Sequence, residues 1–226
     1  ERSHRVLQLY FFQLYDLMHN HISAPKTCPV ENISIQDIAA FYRHRYPDNF
    51  NPPGAVFPGG IVETVANMDL PRLFSGELTQ RMSSCWLDQF DLCAESMIYH
   101  VSETVYFGRR QHLTEKTFKP IALGMPFVLS APAGSLQYLK QYGFETFDSV
   151  WDESYDQLEA QPRFWAIMKL VQDINNLSKS DKLVLYQQSR EICAYNKKRL
   201  DSLLGPLGSN TCIQHRVSTW RTLNNS

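Results

Sequence analysis

Two short runs, "SMIYHVSE" at 96–103 and "PFVLSA" at 126–131, bracket one helix-length segment that opens at Thr114 and stops at Gly124, and this spacing restricts the fold more than any other feature of the 226 residues. In the first run Met97, Tyr99 and Val101 alternate with Ile98 and His100, which is the period of a strand. The second has the unbroken apolar character of a buried strand. After it "AGSLQYLKQYG" reads as another helix with a glycine stop and "FETF" at 144–147 as a short strand. Strands alternating with helices of about ten residues mark a parallel, doubly wound sheet, so the expected fold class is α/β.

The rest of the chain reads as added helices. Apolar residues at 6, 7, 9, 10, 14, 17 and 18 predict a helix from Ser3 to His21, capped by Ser3. Ser34 caps a second, "IQDIAAFYRHRY", which Pro47 breaks. The stretch at 48–60, with three prolines and three glycines, is loop. Between 61 and 95, "VETVANM" and "GELTQRMSSCWLDQF" read as short helices. Two more follow, "RFWAIMKLVQDINNL" and, after the cap-like "SKSD", a long one ended by Gly205 and Pro206. The polar tail from Ser209 has no assignment. The whole, 1–226, is expected to form one domain, with the strand and helix alternation concentrated in 96–204.

At 43% hydrophobic residues the chain has material for a sizeable core. Its 22 basic and 23 acidic side chains nearly cancel, so no global field draws it to nucleic acid or an anionic membrane. Any polyanion must be met by a local cluster. Five cysteines without CxxC spacing argue against a zinc site and against a disulfide framework, and a reducing, cytoplasmic setting is expected. No membrane span is expected, because no run reaches about 18 apolar residues without charge.

The chemistry-bearing residues cluster at the start of the central helix. Open parallel sheets take ligands beyond the carboxyl ends of their strands, where loops feed helix N-termini. Thr114, Glu115 and Lys116 stand there. Free amides and the positive helix end favour phosphate, Lys116 adds charge for a diphosphate, and Glu115 suits a pair of ribose hydroxyls. Lys119 follows on nearly the same face, Arg109 and Arg110 lie in the preceding loop, and Glu103 ends the preceding strand. The plainer reading is that Thr-Glu-Lys is a cap with surface charge.

Residues 99–156, with "TEKTFKPI", the Gly-x-Pro-Phe strand, "GFETF" and "WDESYD", resemble the glycosyltransferase-like proteins of bacteria, phages and algal viruses. The order is similar, more loosely, to that of the alpha-1,3-fucosyltransferases. The resemblance implies a GT-B architecture, in which this chain is the C-terminal, donor-binding, Rossmann-like half with additional helices and a piece of a larger enzyme. It implies that Glu115 holds the donor ribose, that Lys116 and the helix start at Thr114 hold the diphosphate, and that Glu103 lies near the sugar or ribose. An arginine at the start of the first helix, Arg2 or Arg5, would face the donor phosphates. The resemblance departs at the N-terminus, where only Arg2, His4 and Arg5 match the arginine-rich turn that usually leads into that helix. The implied partners are a nucleotide-sugar donor and a glycan or other hydroxyl acceptor, with no metal or other cofactor needed for chemistry.

His100 and His112 flank the site as candidate general bases, or are simply exposed or hydrogen bonded. Asp148, Asp152, Glu153 and Asp156 make a metal site conceivable, though such clusters are more often caps and surface charge. Trp86, Trp151, Trp165 and Trp220 read as core or lid residues sooner than as sugar platforms, and Trp151 is the one to test. No GxSxG elbow, HExxH or P-loop occurs. The expected activity is sugar transfer from a nucleotide-diphosphate sugar to a hydroxyl. Two alternatives remain: a non-catalytic nucleotide-sugar or glycan-binding module, and a glycosyltransferase of modified nucleic-acid bases, which the near-zero net charge disfavours.

Overall fold

A computed structural model describes residues 3–27, 32–42, 60–72, 90–108 and 110–204. The chain groups into two compact units, Glu1–Gln80 and Arg81–Ser226, where the sequence reads as one domain. Three helices, α1 (Ser3–Leu14), α2 (Ile35–Tyr42) and α3 (Gly60–Ala66), pack on one another in the first unit. Helix α1 buries Leu7, Tyr10 and Phe11, the one-turn spacing of an amphipathic helix. It ends well before His21, because Asp16 adopts a left-handed φ of 53° and Asn20 binds the Leu17 carbonyl at 3.0 Å. Ser34 caps α2 as expected, accepting from the Asp37 amide at 2.9 Å while its hydroxyl donates to the Asp37 carboxylate at 2.6 Å. Backbone bonds of 2.7 and 2.8 Å join Ala24 to Arg72. The end of the second expected helix, the loop at 48–59 and the tail from Ser209 lie outside the described residues.

The second unit holds the expected alternation. After α4 (Phe90–Glu95) come β1 (Tyr99–Ser102), α5 (Glu115–Leu123), β2 (Phe127–Ser130) and α6 (Ser135–Gln141). The strands are parallel, with Tyr99 opposite Phe127 and Ser102 opposite Ser130. The Tyr99 amide reaches the Pro126 carbonyl and the Glu103 amide the Ser130 carbonyl, each at 2.9 Å. Parallel strands need a crossover, and α5 supplies it. All four β2 residues are 1% exposed or less, the mark of a strand covered on both faces. Helix α7 (Ala160–Asn176) packs on β2, and α8 (Lys179–Leu204) packs on α5. This is an α/β arrangement with two parallel strands among the described residues.

Thr114 caps α5, and Gly124 ends it at φ 69°, its amide turned back to the Ile121 carbonyl. A side chain there would be strained, which explains the glycine stop. The expected strand at 144–147 does not form. Asn196 of α8, 1% exposed, accepts from the Glu145 amide and donates to the Glu145 carbonyl, both at 2.8 Å. One planar amide thereby satisfies both backbone groups that a neighbouring strand would have taken.

Candidate functional site

The site is built where β1 leaves the sheet. Glu103, the residue after β1, is fully buried. Its carboxylate accepts from the Thr114 amide at 2.8 Å, the Thr114 hydroxyl at 2.7 Å, the Thr117 hydroxyl at 2.6 Å and the Thr104 amide at 3.2 Å. Buried charge is tolerated only when hydrogen bonded this fully, and a carboxylate at a helix N-terminus also meets the positive end of the helix dipole. A protein anion thus occupies the start of α5. The Thr114 hydroxyl, already donating to Glu103, accepts weakly from the Lys116 amide at 3.4 Å.

Glu115 and Lys116 turn to the surface. The Lys116 ammonium lies 2.5 Å from Glu115 Oε1 and 3.4 Å from the Thr114 hydroxyl, and the two side chains are 31% and 20% exposed. Burial works to raise the Glu115 pKa, but the hydrogen bond and charge of Lys116 outweigh it and hold the carboxyl below its ordinary value. Lys119 is half-buried one turn on, with no ion-pair partner among the described residues. Arg110 is exposed, Arg109 lies outside the described residues, and Arg5 sits on the first turn of α1 in the other unit.

His100 hydrogen bonds across the sheet, its Nε2 2.8 Å from Ser130 Oγ. Burial pushes it down to about 4, so the ring is neutral at pH 7 and a weak base there. His112 is half-buried in the loop before Thr114.

Sequence reasoning passed over Gln111. Its amide donates to the Ala133 carbonyl at 2.6 Å and accepts from the Ser135 hydroxyl at 2.8 Å, fastening the loop after β1 to the loop after β2. Only the partner loop reveals this role; a glutamine in a polar loop gives no local signal. The acidic cluster resolves into caps and pairs. Asp156 accepts from the amides of Leu136 and Gln137 at 3.1 and 3.2 Å and lies 3.5 Å from Arg163. Asp148 pairs with Lys140 at 2.7 Å, Asp152 accepts from the Ser154 amide at 2.8 Å, and Glu153 accepts from the Phe147 amide at 3.1 Å. No metal-competent group of three or more His, Cys, Asp or Glu side chains occurs among the described residues. Trp151 is a core residue and no open platform: it is 8% exposed and stacks on Phe147 with centroids 4.9 Å apart.

No helix among the described residues is long and apolar enough to cross a membrane. No family model, curated protein or solved structure matches the chain.

Proposed function

We propose that the second unit is the donor-binding, Rossmann-like half of a GT-B glycosyltransferase, which moves a sugar from a nucleotide-diphosphate sugar to a hydroxyl acceptor. The observation that carries this reading is the Glu115–Lys116 pair, partly exposed at the start of the helix that joins two parallel strands. That is where an open α/β sheet receives ligands. Lys116 neutralises the diphosphate, with Lys119 and the arginines of the preceding loop adding charge, and Glu115 takes the ribose hydroxyls. No metal is required in this scheme, because side-chain cations stabilise the leaving diphosphate. Since Glu103 already takes the Thr114 amide and hydroxyl, the charge contact in this reading falls to the Lys116 ammonium.

The test is direct. Thermal-shift screening against UDP, GDP, CMP and their sugar conjugates identifies the donor, and calorimetry then compares the chain with Lys116→Ala. The variant is expected to fold and to lose nucleotide-diphosphate binding; unchanged affinity removes the assignment. Release of free nucleotide diphosphate in the presence of an acceptor distinguishes transfer from binding alone.

A further inference from the structure

We infer that Glu103 is a positioning residue, an internal anion that fixes the Thr114–Lys116 turn, and that it does not meet substrate. Its side chain is 0% exposed, and both of its oxygens are engaged. Oε1 takes the Thr114 amide and the Thr117 hydroxyl; Oε2 takes the Thr114 hydroxyl and the Thr104 amide. The bonds reach forward to both sides of the two residues that face solvent, Glu115 and Lys116. Thr114 precedes them and Thr117 follows, so one carboxylate binds the Thr114 amide and hydroxyl on one flank of the pair and the Thr117 hydroxyl on the other. Removing it frees the end of α5 to fray and lets the ammonium move from its place beside Glu115 and Thr114. A group with so many donors to satisfy has no lone pair aimed at a sugar, and no route by which to exchange a proton with one.

Thr117 makes the inference testable, because it touches Glu103 at 2.6 Å and is itself fully buried. A substrate-contacting carboxylate would be indifferent to the loss of this hydroxyl on its inner side. A positioning carboxylate would not. Glu103→Gln and Thr117→Val are compared with the unaltered chain by amide hydrogen exchange and by calorimetry with UDP and GDP. Both variants are expected to speed exchange at 114–118 by about tenfold or more, while β2 stays protected, since each lost charged hydrogen bond is worth roughly a tenfold change in local opening. Both are expected to weaken binding of whichever diphosphate the chain takes, while Thr117→Ser, which keeps the hydroxyl, retains most of it. The inference rests on the donor reading only in the binding arm. If no diphosphate binds the unaltered chain, that reading fails and exchange alone decides. Exchange at 114–118 unchanged in Glu103→Gln, or lost binding in Glu103→Gln with none in Thr117→Val, overturns the positioning role.

Discussion

Arg163 Nη2 lies 3.5 Å from Asp156 Oδ1, and the two side chains are only 1% and 4% exposed. The guanidinium also faces the Tyr106 ring, 5.6 Å from its centroid. Asp156 meanwhile caps α6, so the pair ties the start of that helix to α7.

Asp156→Ala should be among the most damaging single changes in the second unit. It strands a buried cation and uncaps α6 together, and breaking a buried pair by removing one partner costs about 3–5 kcal/mol. Urea unfolding measures it. A loss under about 1 kcal/mol would show that Arg163 finds solvent or another acceptor.

Glu153 should make the fold more stable in mild acid than at neutral pH. Burial pushes its carboxyl up to about 6, so the folded state holds the proton more tightly than the unfolded chain. Its favourable contribution is present below the ordinary carboxyl value and is lost as pH rises through about 6. Glu153→Gln stays neutral and keeps an acceptor for the Phe147 amide. Relative to the unaltered chain it should gain about 1–2 kcal/mol at pH 7.5 and little at pH 4. Equal differences at both pH values in denaturant titrations would contradict this.

Glu115 should behave oppositely and weakly. Its carboxyl lies below the ordinary value, so the stability it lends is present at neutral pH and fades as pH falls through that lowered value. Both partners are solvent-accessible, which limits the pair to under about 1 kcal/mol. Lys116→Met should therefore lower the melting temperature slightly at pH 7 and not at pH 3, and added salt should shrink the difference.

Gly143→Ala should cost about 1–2 kcal/mol, because φ is 81° at this position and an alanine there is held in the left-handed region. An added Cβ would stand 2.9 Å from Arg199 Nε, but that is the far end of a flexible side chain. Most of the cost should persist in Gly143→Ala combined with Arg199→Ala, as read by equilibrium unfolding.

Where the chain's own punctuation decided local structure, the sequence was a good guide. Thr114 and Gly124 delimit α5 as expected, Ser34 caps α2 as expected, and β1 and β2 fall inside the two runs that suggested them. Capping and αL glycines act over three or four residues, so they can be read without the fold. The segment at 144–147 could not be, since what satisfies it is Asn196, fifty-one residues from Glu145. Glu103 shows the same limit within the site. Its place at a strand end was visible, but the direction of its carboxylate depended on donors contributed by Thr114 and Thr117 after the chain had turned back.

The Asn196 amide has a consequence for how this protein behaves in a crowd. A backbone segment lying beside a sheet with its N–H and C=O groups exposed is an invitation to pair with a stranger. At Glu145 that invitation is withdrawn from within, by a side chain that copies the shape of a peptide bond and takes both backbone groups for itself.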